Sequence, residues 1–157
     1  MHTVKVLFVC LGNICRSPIA ESVMRQLVEE AQLNKQITVD SAGTGSWHAG
    51  EEADERARAC LNKNGYPKPS RARQITQEDF NNYDYIVAMD HENLRNLMNL
   101  TIDGRDKLSL ILDWTKEHKG NPVPDPYYGP DSGFDEVLSL CEAGCLGFRD
   151  HLSTRLN

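Results

Sequence analysis

Hydrophobic residues along the chain form short unbroken runs that alternate with stretches of helical periodicity. The first run, residues 6–9, is typical of a parallel strand whose sheet is covered on both faces. Runs at 37–39, 83–89 and 108–112 predict three further strands, of which the last is expected at an edge. Strands that alternate with helices predict an α/β fold with a doubly wound parallel sheet, right-handed crossovers and helices on both faces.

Four stretches with apolar residues three or four positions apart predict the helices. Ser17 and Pro18 are typical of the N-cap and the first residue of the first helix, and Asp90 can cap the third. Gly144 and Gly147 interrupt the periodicity of the last helix, so a break or a close packing contact is expected there. The predicted helices cover residues 18–31, 51–64, 92–100 and 134–152.

The segment between the first strand and the first helix carries the candidate chemistry. It runs from Cys10 to Pro18 with the sequence Cys-Leu-Gly-Asn-Ile-Cys-Arg-Ser-Pro. Gly12 and Asn13 are residue types that readily adopt positive φ, so the amides around them can face a common concavity at a helix N-terminus. The planar guanidinium of Arg16 can donate two parallel hydrogen bonds to two oxygens of an anion. These groups predict a site for a tetrahedral dianion at the carboxyl end of a strand, where such sheets bind ligands.

Cys10 lies at the mouth of this predicted anion site. A positive environment favours the thiolate over the thiol, so Cys10 is a candidate nucleophile directed at the centre of the bound anion. The expected chemistry is phosphoryl transfer to sulfur, without a metal or another cofactor. A packed cysteine and a solvated arginine are the ordinary alternatives for Cys10 and Arg16. Their combination as Cys-x5-Arg-Ser between a buried strand and a helix is much more specific than either residue alone.

Residues 9–18 resemble the low-molecular-weight protein tyrosine phosphatases. Blocks at 40–44, 72–75, 89–90 and 125–129 resemble later parts of that family in the same order, so the resemblance covers essentially the whole chain. It implies a four-stranded parallel sheet in the order 2-1-3-4. It also implies a metal-independent phosphatase that hydrolyses phosphotyrosine and other aryl phosphates through a cysteinyl-phosphate intermediate.

The resemblance also implies a role for individual residues of this chain. Cys10 is the implied nucleophile, Arg16 the phosphate clamp and Asp125 the general acid. At position 70 many relatives have a histidine that braces the loop asparagine, and Ser70 offers a shorter hydroxyl in its place. The implied phosphate-binding residues are Leu11, Gly12, Asn13, Ile14, Cys15 and Arg16, and Asn13, Ser17 and Ser41 are implied to hold the loop.

Aromatic residues occur in two loops that could border a substrate. Residues 121–130 form a proline-stiffened loop that places Asp125 beside Tyr127 and Tyr128, although such a segment can also be a plain surface turn. Trp47 has no periodic apolar neighbours and is expected to line the substrate, the alternative being a ring folded back onto the core. Together these rings would form a slot for phosphotyrosine. The neighbouring His48 is expected simply to be exposed.

The five cysteines make an odd count, without pairs at zinc-like or thioredoxin-like spacing. Reduced thiols in a cytoplasm are therefore expected rather than a disulfide framework. Cys15 follows Cys10 closely and is a candidate redox partner, which would trap an oxidised Cys10 as a disulfide. The alternative for Cys15 is a residue that packs the loop.

Composition narrows the class of protein further. The length of 157 residues with 39% hydrophobic content suits one compact domain, over residues 1–157. A net charge of −6 argues against nucleic acid or an anionic membrane as the main partner. We find no leader of signal-peptide form and no apolar run approaching about 18 residues, so no membrane insertion is expected. The expected partners are phosphotyrosine proteins or small aryl phosphates, with inorganic phosphate as product.

Two other classes of protein fit part of this pattern. Arsenate reductases of similar fold use the same Cys-x5-Arg loop but need two further cysteines, for which only Cys141 and Cys145 are available. A nucleotide-binding or inert phosphate-binding module would carry a Gly-x4-Gly-Lys-Ser/Thr loop, which is absent, and would not need Cys10. The physiological substrate and the oligomeric state are not indicated by the sequence.

Overall fold

The computed structural model describes residues 3–156 and is built around one four-stranded sheet. All neighbouring strands are parallel and their order is β2-β1-β3-β4, which confirms the predicted sheet. The edge strand β4 is shorter than predicted because Asp113 accepts a hydrogen bond from the Leu110 amide at 3.1 Å, which starts a 3-10 helix over Ile111–Trp114. The strands are β1 (Val4–Cys10), β2 (Ile37–Gly43), β3 (Tyr85–Ala88) and β4 (Leu108–Leu110).

Helices cover both faces of the sheet, as predicted. Val6 and Phe8 of β1 belong to the apolar core that includes the inner faces of α1, α2 and α5. Leu7 and Val9 point to the opposite face and belong to a second apolar core with residues of α3 and α4. Both faces of β1 are therefore buried, which explains its unbroken apolar run. The helices are α1 (Arg16–Glu30), α2 (Glu55–Lys63), α3 (Asp79–Asn82), α4 (His91–Leu100) and α5 (Ser132–Leu156).

Two of the helix starts differ from the sequence predictions for reasons that their hydrogen bonds explain. Helix α1 begins at Arg16 with Cys15 at the N-cap, so Ser17 is not the cap. The reason is that the Ser17 hydroxyl contacts Cys10 and Asn13 instead. Helix α2 begins only at Glu55, because the Asp54 side chain caps it. The cap predicted for α4 is confirmed, since Asp90 accepts from the Asn93 amide at 2.8 Å.

The last helix, α5, is continuous through both of its internal glycines. A Cβ at Gly144 would lie 2.7 Å from Ile111 Cγ1, and one at Gly147 would lie 1.9 Å from the Trp114 carbonyl oxygen. Of the two predicted alternatives, the close packing contact is therefore correct and the break is wrong. The glycines allow α5 to lie against the backbone of the 3-10 helix Ile111–Trp114.

Within residues 3–156, no helix combines the length and the apolar character that crossing a bilayer requires.

Candidate active site

The loop between β1 and α1 turns its carbonyl groups toward neighbouring segments. The carbonyls of Cys10 and Leu11 accept hydrogen bonds from the amides of Thr44 and Gly45, both at 2.9 Å, and the Ile14 carbonyl accepts from the Asp54 amide at 2.8 Å. Among the described residues, no acceptor takes a hydrogen bond from the main-chain N–H groups of residues 11–16. These donors and the N-terminus of α1 are thus available to an anion.

Asn13 fixes the shape of this loop. Its φ of 57° is in the left-handed region, as predicted. Its side-chain nitrogen donates to Ser17 Oγ at 2.8 Å and to Ser41 Oγ at 2.9 Å, and its side-chain oxygen accepts from the Arg73 amide at 3.0 Å. Gly12 differs from the prediction, because its φ is not positive.

Space for a side chain is limited at two positions around the loop that glycines occupy. A Cβ at Gly12 would lie 3.1 Å from His48 Cδ2. A Cβ at Gly43, at the end of β2, would lie 2.8 Å from the Leu11 carbonyl oxygen. The small residues after β2 therefore allow that segment to approach the loop at residues 10–16, as the sequence predicted.

A buried carboxylate continues the network behind Asn13. Ser41 Oγ donates to Glu21 Oε1 at 2.5 Å, and Glu21 is 0% exposed. The amide and hydroxyl of Ser70 both donate to Glu21 Oε2, at 3.0 and 2.9 Å, while Arg25 Nη1 lies 2.6 Å from the same oxygen. Ser70 thus keeps a hydrogen-bonded link to the network, and Arg25 supplies the cation that a buried carboxylate needs.

Arg16 is held in place by groups on two other segments. Its side chain is 4% exposed, and Nη1 donates to Asp90 Oδ2 at 2.6 Å and to the Val123 carbonyl at 3.0 Å. Burial disfavours the charged form of Arg16. The negative charges of Cys10 and Asp90 outweigh this effect of burial and raise the pKa of the guanidinium. Arg16 is therefore a fixed cation beside Cys10.

The contact of Asp90 with Arg16 was missed by the sequence prediction, which had Asp90 as a helix cap, as part of a block that resembles the family and as the second candidate for the acid. The available signal was its place directly after β3, the strand beside β1, since the carboxyl ends of parallel strands meet at one edge of the sheet. One carboxylate oxygen of Asp90 caps α4 and the other binds Arg16. Both oxygens are thus engaged.

A cavity of about 390 Å³ opens at this edge of the sheet. It brings together predicted residues from three distant segments: the loop after β1, the segment at Trp47 and the segment at Asp125. His48 was expected to be simply exposed, but its side chain is partly buried, lies 3.3 Å from Glu51 and lines the cavity. The lining consists of Cys10, Leu11, Gly12, Ile14, Cys15, Arg16, Trp47, His48, Asp125, Tyr127 and Tyr128.

The segment with Asp125 forms the outer side of the cavity. Asp125 Oδ1 accepts from the Tyr127 amide at 3.1 Å, and Oδ2 lies 3.9 Å from Arg16 Nη2. The Asp125 side chain is 47% exposed. The rings of Tyr127 and Tyr128 meet edge to face with centroids 4.8 Å apart, and Trp47 is 71% exposed rather than folded into the core. The aromatic side chains are thus accessible to a ligand.

The remaining predicted site residues lie behind the cavity. Asn13, Ser17 and Ser41 are buried and hydrogen-bonded to one another rather than lining the cavity. Cys10 Sγ lies 3.0 Å from Ser17 Oγ. Since Ser17 Oγ already accepts from Asn13, its own hydrogen can be donated to the sulfur.

The other thiols are in different surroundings from Cys10. Burial, together with the charge of Asp54, raises the pKa of Cys15 well above its usual range. Burial and a hydrogen bond to Asp135 raise the pKa of Cys60 to about 11. Cys141 and Cys145 are fully buried in α5, and their burial also raises both pKa values. These four cysteines are therefore protonated at neutral pH.

Comparison with known proteins agrees with this geometry. Residues 5–157 match the family model described as low molecular weight phosphotyrosine protein phosphatase. The chain is 44% identical over 149 residues to the low molecular weight phosphotyrosine protein phosphatase of Homo sapiens, covering 93% of this chain and 94% of that protein. It is 46% identical over 143 residues to a putative low molecular weight protein-tyrosine-phosphatase of Synechocystis, covering 90% of this chain and 91% of that protein.

Solved structures show the same similarity. The crystal structure of a protein tyrosine phosphatase from Entamoeba histolytica with Hepes in the active site superposes with a TM-score of 0.93, at 39% identity over 99% of this chain and 100% of that one. A Vibrio cholerae structure titled as a low molecular weight phosphotyrosine phosphatase gives a TM-score of 0.89, at 35% identity over 97% of this chain and 98% of that one. The chain belongs to the low molecular weight protein tyrosine phosphatase family, a family of hydrolases.

Proposed function

We propose that this protein hydrolyses phosphotyrosine and other aryl phosphates through a phosphorylated Cys10. The observation that carries the proposal is that Cys10 shares one cavity with the unbonded amides of residues 11–16 and the buried cation of Arg16. Such donors suit the oxygens of a phosphate dianion, and the sulfur is the atom that can attack its phosphorus. The aromatic rings around the opening suit a substrate with an aryl group.

In the first half-reaction the Cys10 thiolate attacks phosphorus in line with the departing oxygen. The S–P bond forms while the P–O bond to the aryl group breaks, and the Asp125 carboxyl gives its proton to the leaving phenolate. Arg16 and the amides of residues 11–16 hold the equatorial oxygens, whose charge grows in the transition state. The Ser17 hydroxyl donates to the sulfur and keeps it directed into the cavity.

In the second half-reaction a water molecule replaces the aryl oxygen. The ionised Asp125 takes a proton from this water, whose oxygen attacks phosphorus. The S–P bond breaks, Cys10 regains its electron pair as a thiolate, and inorganic phosphate leaves. No metal or cofactor takes part in either step.

The substrate side chain lies between Trp47 and the two tyrosines. A slot of this kind binds the flat ring of phosphotyrosine on its faces. The outer residues are accessible, Tyr128 being 94% exposed, so residues that flank phosphotyrosine in a protein can be accommodated. The proposal includes a cytoplasmic location, which is supported by the five free cysteines, since thiols stay reduced in that compartment.

Release of phosphate from a phosphotyrosine peptide in the presence of EDTA tests the proposal. Turnover with and without the chelator at equal rates is expected. The absence of turnover would overturn the phosphatase reaction, and activity that EDTA removes would overturn its metal independence. Thiol-dependent reduction of arsenate would favour a reductase. The buried positions of Cys141 and Cys145 in α5 argue against the disulfide relay that a reductase needs.

Cys10 should react with iodoacetate faster than any other cysteine, and inorganic phosphate should protect it. Cys10 lines the cavity beside Arg16, which attracts the carboxylate of the reagent, whereas the other four thiols are kept protonated by burial. Mass spectrometry of peptides after partial alkylation measures the order of labelling. Equal labelling of all five cysteines, or no protection by phosphate, would contradict this expectation.

Peroxide should inactivate the enzyme reversibly, with Cys15 as the redox partner of Cys10. Peroxide oxidises Cys10 to a sulfenic acid, and attack by Cys15 sulfur expels water and leaves a disulfide that dithiothreitol reduces. Because its pKa is raised, Cys15 should trap the oxidised Cys10 faster as the pH rises. The activity recovered by dithiothreitol after peroxide should be lower in Cys15→Ala than in the parent protein. Equal recovery would show that Cys15 only packs the loop.

A further inference from the structure

The segment that carries Asp125, residues 124–129, has few attachments to the rest of the protein. Before it, the Val123 amide donates to the Met89 carbonyl at 2.8 Å, and within it Pro126 is buried. Among the described residues, a single hydrogen bond reaches residues 124–129 from another element. It runs from Arg56 Nη2 of α2 to the Tyr127 carbonyl oxygen, at 3.1 Å.

Arg56 also contacts aromatic rings on the acid-bearing side of the cavity. The guanidinium carbon lies 5.5 Å from the centroid of the Tyr127 ring and 4.6 Å from that of Phe134, in the first turn of α5. Both distances are within the range of cation–π attraction. Arg56 is not among the residues that line the cavity, so its contacts are with the segment rather than with a ligand.

The orientation of Arg56 is fixed by Asp54, which connects it to the loop of Cys10. Arg56 Nε and Nη2 donate to the two carboxylate oxygens of Asp54, each at 3.1 Å. The Asp54 amide in turn donates to the Ile14 carbonyl at 2.8 Å. Asp54 and Arg56 thus form a continuous connection from the nucleophile loop to residues 124–129. The α2 cap uses the main-chain N–H of Arg56, which every Arg56 variant except proline keeps.

We infer that Arg56 is a positioning residue for Asp125. Through the Tyr127 carbonyl it fixes the acid-bearing segment relative to Cys10, and so places the carboxyl of Asp125 where the leaving oxygen needs its proton. This inference rests on the proposed function, in which Asp125 is the general acid. A misplacement of about 1 Å can cost on the order of 10²-fold in rate, so loss of the connection is measurable.

The Arg56→Gln variant tests the inference by pre-steady-state kinetics. The first half-reaction should slow by about 10-fold to 10²-fold for phenyl phosphate, whose leaving group needs a proton, and by less for p-nitrophenyl phosphate. In the Asp125→Asn background the same substitution should cause no further slowing, because the group that it positions is already lost. Arg56→Lys should recover little, since an amine cannot reproduce the forked contacts with Asp54.

Arg58→Gln is the matched control on the same helix. Arg58 donates to the Ala53 carbonyl at 2.9 Å and pairs with Glu52, away from residues 124–129, so its loss should leave the first half-reaction unchanged. Protection of Cys10 by phosphate should be the same in Arg56→Gln as in the parent protein, which shows that the fold and the anion site are intact.

Three results would overturn the inference about Arg56. These are an unchanged first half-reaction in Arg56→Gln, equal slowing for both leaving groups, and a further slowing in the Asp125→Asn background. Failure of the proposed function is distinguishable, because then the parent protein would show no phosphate release and no burst of phenol. If Asp125→Asn alone had no effect, the proposed role of Asp125 as general acid would be the part that fails, rather than the role of Arg56.

Discussion

Replacing Cys10 with serine should abolish hydrolysis, with a loss of turnover on the order of 10⁵-fold or more, as found when an enzyme loses its nucleophile. A serine hydroxyl is a weak nucleophile at neutral pH without an adjacent base, and the groups around position 10 are donors and a cation rather than a base. Rapid acid quench of the reaction with ³²P-labelled substrate should trap the phosphorylated intermediate in the parent protein. The variant should carry no label.

Cys60→Ser is the matched control for Cys10→Ser, because Cys60 lies in α2 outside the cavity. It should keep both the labelled intermediate and normal turnover. The amides and Arg16 remain in Cys10→Ser, so this variant should still bind phosphotyrosine peptides and serves as a bait for physiological substrates in a lysate. Turnover within about tenfold of the parent protein would contradict the role of Cys10.

Replacing Asp125 with asparagine should slow the cleavage of phosphotyrosine by on the order of 10²–10⁴-fold, the usual span for one acid–base group. Tyrosine leaves as a basic phenolate and needs a proton in the transition state, whereas p-nitrophenolate leaves with much less help. The first half-reaction should therefore slow less for the nitrophenyl ester.

The effect of Asp125→Asn relative to the parent protein should be measured by burst-phase kinetics over a series of leaving groups. Steady-state turnover reports whichever half-reaction is slower and would hide an effect on the first. Asp131→Asn makes the same change of charge at an exposed position shortly after Asp125 and should leave the first half-reaction unaffected. Equal slowing for all leaving groups would mean that Asp125 only shapes the segment and that the acid lies elsewhere.

The strands and the anion-binding loop could be predicted because their determinants are local. The unbroken run in β1 shows that both faces of the strand are buried, and the residues from Cys10 to Pro18 are contiguous. Asp125, in contrast, is more than a hundred positions from Cys10, and only the resemblance to a family joined them. The contact of Arg16 with Asp90 spans 74 positions and forms only when β1 and β3 pair.

Several of the differences from the sequence predictions share a physical cause, which is that tertiary contacts override local preference. Ser17 before Pro18 is typical of an N-cap, but its hydroxyl binds Asn13 and Cys10 instead. Gly12 does not adopt a positive φ, and it suits its position instead because a side chain there would meet His48. Gly144 weakens a helix by its own propensity, yet α5 continues through it, and the missing side chain lets the helix pack against Ile111.

The close contact of Gly144 with the backbone at Ile111 should make the proposed activity sensitive to a substitution far from the cavity. A methyl group at position 144 cannot be accommodated by rotating a side chain, because the Ile111 carbonyl oxygen would lie 2.9 Å from it, so α5 has to tilt or shift. The start of α5 is about 18 Å away along the helix axis, at 1.5 Å per residue. A tilt of about 3° then displaces the N-terminal end by about 1 Å, enough to alter catalysis. Since residues 124–129 lead directly into that end, a substitution in the middle of α5 would be felt at the segment that carries Asp125.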